Sequence, residues 1–551
     1  MAGFLITVHL APVSLVVAQL PPSASEDSLR GNPTKKAPAN WFNLDRSENQ
    51  VPGVSTEKAY QLLKDRPSKT VVVAVIDGGV DEEHEDLKSR MWVNEDEVAG
   101  NGVDDDKNGY VDDVHGWNFI GGKDGRNVDQ DTYEVTREYG RLRKKYEGVV
   151  PAKVKKKEQA EYGHFRKVKA TVETKVRELQ EQTTSFSAFK TVYEEAREVI
   201  KSALGKDTLV ADEIAALRAT DEKTKRAQSV LLYALANDMT EASLKETEEY
   251  FDKGLKYGYN LAFDPRGIVG DNPANLKEKY YGNNDVTGPD ASHGTHVAGI
   301  IAADRTNALG IRGVADNVRI MAVRAVPNGD ERDKDVANAI YYAVDNGARI
   351  INMSFGKDYS PNKELVDAAV NYATSKGVLL VHAAGNDGEN IDTASNFPTV
   401  KFGSTSRALK NWIEVGAASW KDSTDLAADF SNYGKNTVDL FAPGVDVHST
   451  MPNQGYKDNS GTSMAAPVTS GVAALLMSYF PNLSAEQIRE VLVQSTVKRR
   501  EVRVNKPGEE EAGQESTIAF GELSKTGGVV NAYEAVRRAE ELSGRQLAPA
   551  R

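Results

Sequence analysis

Val71-Val-Val-Ala-Val-Ile-Asp77-Gly-Gly79 is the stretch on which the fold turns. Five of its first six residues are β-branched and none is polar, so neither face of a strand built from them could lie in water. The run therefore predicts a strand covered on both sides, as in parallel sheets. It stops at an aspartate followed by two glycines, which places Asp77 at the strand's carboxyl end. The same pattern returns at 318–325, 348–353 and 377–384, with helical stretches at 333–345 and 363–375 between them. Strands alternating with helices predict an α/β fold: a doubly wound, mostly parallel sheet with ligands bound at the carboxyl ends of its strands.

Outward from that core, 551 residues with 40% hydrophobic side chains suffice for one large domain or two to three ordinary ones. Disordered and fibrous classes are excluded. The 68 Lys+Arg against 81 Asp+Glu leave a net charge of −13, which repels a phosphate backbone, so nucleic acid is not expected as a partner. The chain has no cysteine, which rules out disulfides, thiolate metal sites and a thiol nucleophile. Residues 1–18 carry no Lys, Arg, Asp or Glu and end in Val16-x-Ala18, a pattern expected of a signal peptide. No later run has the ~20 apolar residues of a membrane helix. The expected location is secreted, periplasmic or in the cell envelope. Residues 19–55, rich in Pro, Ser and Asn, read as a linker or short pro-segment.

One region breaks the alternation. Residues 134–201 hold 17 Lys+Arg and 11 Asp+Glu, a local +6, with almost no Gly or Pro. Phe165, Val168, Val172, Val176 and Leu179 are spaced 3, 4, 4 and 3 apart, one stripe of an amphipathic helix. Further helical stretches at 186–200, 212–235 and 240–255, the last capped by Asp238 or Thr240, predict an all-helical insertion over 131–265. Its charge makes it a solvated helical face or a docking surface for a partner.

Three stretches place reactive residues on constrained backbone. Asp77 ends its strand. His293-Gly-Thr-His-Val-Ala-Gly299 puts His293 at the start of a small-residue helix. Gly461-Thr-Ser-Met-Ala-Ala-Pro467 puts Ser463 at the start of another. Singly, an Asp at a strand end or a Ser at a helix start is a cap or turn residue. Together they supply an acid, a base and a nucleophile, because a serine hydroxyl attacks only when an imidazole takes its proton and a carboxylate orients that imidazole. Asn386, in Ala383-Ala-Gly-Asn-Asp-Gly388, reads either as a turn residue or as an amide donor to an oxyanion.

At these residues the chain resembles the subtilisin-like serine proteases, the subtilase family, with acid, base and nucleophile in the family's order. The resemblance covers roughly 56–130 and 266–541 as two parts of a catalytic domain, leaving 542–551 as a tail. It implies Asp77 orienting His293, His293 as general base, Ser463 as nucleophile and Asn386 in the oxyanion hole. It also implies that Ser354, Phe355 and Gly356 pair with the substrate backbone, and that Ala383, Ala384 and Gly385 wall the P1 pocket. Protein or peptide substrates are the implied partners, hydrolysed without a catalytic cofactor. Two features depart from the family. Gly78 stands where relatives carry a Ser or Thr that donates to the catalytic carboxylate, and 216 residues separate Asp77 from His293 where relatives have a few tens. An acid-active clan with Glu and Asp in place of His is the nearest rival reading, opposed by the intact His293 box. A catalytically impaired binding protein that engages a partner through the helical insertion is the rival of another class.

Between Asn101 and Asp113, Asp104, Asp106, Asn108 and Asp112 fall at alternate positions around Gly109, the opening of an oxygen-ligand Ca²⁺ loop. His115 stands where such a loop would close with Glu, so a structural Ca²⁺ would need a ligand from elsewhere.

Overall fold

The computed structural model describes residues 36–237, 239–399, 409–509 and 516–544. The expected signal peptide, the first part of 19–55 and residues 545–551 of the tail lie outside the described residues. The chain divides into two compact units, Lys36–Glu134 with the chain from Asp264 onward, and Val135–Phe263.

In the first unit a nine-stranded sheet is built, in chain order, from β1 (Val71–Asp77), β2 (Gly116–Asn118), β3 (Val318–Arg324), β4 (Ile350–Met353), β5 (Leu379–Ala383), β6 (Trp412–Ala418), β7 (Leu440–Pro443), β8 (Val497–Lys498) and β9 (Gly528–Val529). Its spatial order is β8-β9-β7-β6-β5-β4-β1-β3-β2, and only the β8–β9 pair is antiparallel. The apolar run of β1 is explained by its position between β3 and β4. Val73 and Val75 join one core with Val297 and Ile301 of the Ser292–Ala302 helix and Val468 and Val472 of the Thr462–Tyr479 helix. Ala74 and Ile76 join the opposite core with Val336 and Ile340 of the Asp333–Asp345 helix and Val366 and Val370 of the Lys363–Ser375 helix. Each Val or Ile buried this way contributes about 1.5–3 kcal/mol. Every residue of the Thr462–Tyr479 helix is buried, which its Ala, Gly and Ser content permits. The fold is thus the doubly wound α/β arrangement that the strand pattern predicts.

The second unit is helical. The two stretches predicted at 165–179 and 186–200 form one 46-residue helix, Gln159–Leu204, closed by Gly205 in the left-handed conformation at φ 63°. No glycine or proline interrupts the sequence between the two stripes, so nothing breaks the helix there. Of the first stripe, Phe165, Val168, Val172 and Leu179 are buried and Val176 is half-buried. The stretch predicted at 212–235 is two helices, Ala211–Ala216 and Glu222–Ala236, the latter capped by Asp221. Thr240 caps Glu241–Lys253, its hydroxyl accepting the Ser243 amide at 3.1 Å; Asp238 lies outside the described residues. Leu179, Phe186, Phe189, Ala234, Leu244 and Phe251 form a core within this unit.

Within the first unit, the chain segments that lead to and from the helical unit are joined by one side chain. Arg332 Nε lies 2.8 Å from Asp131 Oδ2, and its terminal nitrogen lies 3.2 Å from Asp264 Oδ1.

Candidate active site

β1 delivers Asp77, 3% exposed, to the carboxyl edge of the sheet. The Ser292–Ala302 helix starts against that edge. A methyl group on Gly294 would fall 2.1 Å from the Gly79 carbonyl oxygen and 3.1 Å from Asp77 Cβ, so only glycine lets the helix come this close. The approach brings His293 Nδ1 to 2.8 and 3.0 Å from the two Asp77 carboxylate oxygens. The Gly78 backbone N–H donates to Asp77 Oδ1 at 2.7 Å, so the carboxylate has a main-chain donor although residue 78 has no hydroxyl. Beneath the turn, the buried Arg324 donates from Nε to the Gly78 carbonyl at 2.6 Å and from its other nitrogens to Asn118 Oδ1 and the Val128 carbonyl. Burial outweighs the attraction of Asp285, Asp129 and Asp290 and pulls the Arg324 guanidinium down to about 10.

Ser463 is the second residue of the Thr462–Tyr479 helix, where backbone N–H groups have no acceptor within the helix. Its hydroxyl donates to the Ser354 carbonyl at 3.2 Å, and the Ser354 hydroxyl donates to the Ser463 carbonyl at 2.9 Å. Ser354, the first residue after β4, lines one pocket together with Asp77, Gly78, Asp290 and His293. His293 Nε2 has no hydrogen-bond partner among the described residues. The serine hydroxyl is thus directed at a main-chain carbonyl, and catalytic hydrogen bonds often tighten only when substrate binds.

Asn386 follows β5 and is held by its oxygen: the Thr462 amide and hydroxyl donate to Asn386 Oδ1 at 2.8 and 3.0 Å. This fixes which way the amide nitrogen faces. A methyl on Gly461, at φ 153°, would lie 3.6 Å from both Asn386 Nδ2 and the Ser463 amide nitrogen, so two donors border one small space that the missing side chain leaves open. Both Thr462 contacts reach Asn386 from outside the segment 383–388. Thr462 was not singled out in the sequence, although it stands inside the Gly461 box. Asn396 was also missed. It donates to the Ala383 and Ala384 carbonyls at 3.1 and 2.9 Å and fills the space that a side chain on Gly356 would need, tying the segment 354–356 to 383–385. Nothing local in the sequence marks it, because its partners come from chain folded around it.

In the acidic loop the carboxylates of Glu97, Asp106 and Asp113 approach within 4.8 Å of one another. Of the four residues picked by spacing, Asp106 alone belongs to this trio. Asp104 accepts the Asn108 and Gly109 amides, Asp112 accepts those of Asn101 and Gly102, and Asn108 donates to Asp106 and Asp113. Burial pushes the Asp113 carboxyl up to about 6 despite hydrogen bonds from Tyr342, Asn94 and Asn108. Three oxygen donors suit a hard cation such as Ca²⁺. Glu97 stands ahead of the loop, where a search for a closing residue after Gly109 cannot reach it.

The chain belongs to the subtilase family, whose model matches residues 68–521. It is similar to a thermophilic serine proteinase of Bacillus sp. (strain AK1), 41% identical over 263 residues, which are 47% of this chain and 59% of that protein. Thermitase of Thermoactinomyces vulgaris is 38% identical over 242 residues, 43% of this chain and 80% of the relative. Subtilisin DY of Bacillus licheniformis is 38% identical over 201 residues, 36% and 68% respectively. The chain thus spans 59% of the length of the first of these relatives.

Proposed function

We propose that this chain is an exported serine endopeptidase that hydrolyses peptide bonds through an acyl-enzyme. The observation that carries the reading is the His293 imidazole, bonded through Nδ1 to both oxygens of a buried aspartate and left without a partner at Nε2. An imidazole held this way has its tautomer set by Asp77, with the lone pair on Nε2. When a substrate carbonyl enters, Ser463 Oγ bonds to its carbon while the hydroxyl proton passes to His293 Nε2. The negative oxygen that forms would accept from the Ser463 amide and Asn386 Nδ2, both already fixed in place. The tetrahedral carbon then expels the amine, which takes the proton from Nε2, and water repeats the sequence on the ester. An extended peptide would pair with 354–356, and its P1 side chain would lie against 383–385.

The acidic loop fits a structural Ca²⁺ held by Glu97, Asp106 and Asp113, which would neutralise three gathered carboxylates and take no part in hydrolysis. The helical unit would tune access of large substrates or engage a partner of its own. The decisive experiment is labelling with a fluorophosphonate probe followed by peptide mapping. The expected adduct is on Ser463, absent in Ser463→Ala and His293→Ala variants of native circular dichroism. Labelling that survives Ser463→Ala, or no labelling of the folded wild type, would sink the reading.

A further inference from the structure

β5 carries a histidine where the rest of the strand, Leu379-Leu380-Val381 and Ala383, is apolar. His382 is fully buried and stands in register with Met353 of β4 and Glu414 of β6. Its Nε2 lies 2.9 Å from the Phe355 carbonyl oxygen and its Nδ1 lies 2.8 Å from Glu414 Oε1. Trp412 Nε1 donates to the other Glu414 oxygen at 2.8 Å, and the Trp412 ring packs on the imidazole at 5.2 Å between centroids. Both partners of the imidazole are acceptors. Phe355 offers a carbonyl oxygen, which can only accept, so the contact at Nε2 is a donation from an imidazole N–H.

The position of this contact matters because the backbone ladder between β4 and β5 ends at the Met353–His382 pair. Phe355 lies two residues further on, and the imidazole supplies the donor that the ladder no longer provides. We propose that His382, braced by Glu414, is a positioning residue that fixes the Phe355 carbonyl and with it the spacing between 354–356 and 383–385, the segments that would flank the P1 side chain. The proposal rests on the peptidase reading above and adds to it a determinant of P1 selectivity outside the pocket wall.

The test compares wild type, the double variant His382→Leu/Glu414→Leu and the single variant His382→Gln on peptide p-nitroanilides that differ only in Ala, Leu or Phe at P1. The double variant removes the brace without leaving a buried charge unpaired, and Gln retains an N–H for Phe355. Loss of one such buried hydrogen bond should raise KM for the Leu and Phe substrates about tenfold in the double variant. Its kcat and its rate of labelling by a small fluorophosphonate should stay within about threefold of wild type, because neither reports the extended strand. His382→Gln should recover wild-type selectivity. Unchanged KM values in the double variant, or a kcat and labelling rate that fall together with binding, would overturn the proposal. If the double variant does not fold, His382→Leu/Glu414→Gln takes its place, with the same tenfold KM rise expected and unchanged KM values overturning the proposal. Failure of the peptidase reading shows itself separately, as wild type that neither labels nor cleaves.

Discussion

Asn386 and Gly461 make opposite demands on one small space, and each can be tested alone. If the Asn386 amide donates to the developing oxyanion, Asn386→Leu should lower kcat about 10²–10³-fold with KM nearly unchanged. A change confined to KM would return Asn386 to the status of a turn residue. Gly461→Ala places a methyl 3.6 Å from both donors, on a backbone at φ 153° that side chains rarely adopt. Its expected signature is a kcat loss of the same order together with a lower melting temperature, read by calorimetry beside steady-state kinetics. Asp77, His293 and Ser463 were legible in the sequence because each is fixed by its immediate neighbours: a strand that ends, or a helix that begins with small residues. His382, Asn396 and Thr462 were not, since their partners lie on chain that only the folded sheet brings near.

At the level of elements, the acidic loop and the helical unit carry signals of different kinds in the sequence. Alternate spacing marks four residues of the loop and leaves a further ligand to come from elsewhere. In the structure Asp104 and Asp112 accept backbone amides of the loop, and the Glu97 carboxylate lies with those of Asp106 and Asp113. If Ca²⁺ occupies the trio at 100 times its Kd, the native state gains about 2.7 kcal/mol. EGTA should then lower the melting temperature of a Ca²⁺-loaded sample by several degrees, and a Glu97→Gln/Asp106→Asn variant should lose that response. An identical response in wild type and variant would dismiss these residues as ligands. The helical unit was announced by its 3.6 periodicity, whereas its boundaries with neighbouring chain carried no caps strong enough to locate. Because Arg332 holds Asp131 and Asp264 together, a short Gly/Ser linker can replace residues 135–263 at small closure cost. The shortened chain should fold and cleave small peptide esters at near wild-type kcat. Failure to fold under any condition would make the helical unit part of the folding core.

For the molecule as a whole, the acid side of the stability profile is set by carboxylates pulling in opposite directions. At Asp304 burial acts upward, but hydrogen bonds from Thr306, Arg90 and Ser89 outweigh it and hold the carboxyl below its usual range, so its contribution is present above about pH 4 and lost as the pH falls. Asp113 has the reverse sign. With its carboxyl raised from 3.8 to about 6, the native state binds a proton that the unfolded chain has released. Stability from this group is complete below about pH 4 and is lost as the pH rises through 6, a penalty of about 3 kcal/mol when no cation offsets it. In chelator, the melting temperature of Asp113→Asn relative to wild type should therefore climb between pH 4 and pH 7, and a flat difference would count against it. Asp113 is plain in the sequence, but its burial and the Tyr342 hydroxyl 2.6 Å away are products of the fold, so its sign could not be read there. The bracing of Asp131 and Asp264 by Arg332 has a bearing on descent as well as on stability. If the shortened chain folds, a chain joined at this base could gain, lose or exchange what lies beyond the join without disturbing Asp77 or His293, which would make it a point where length is free to change in descent.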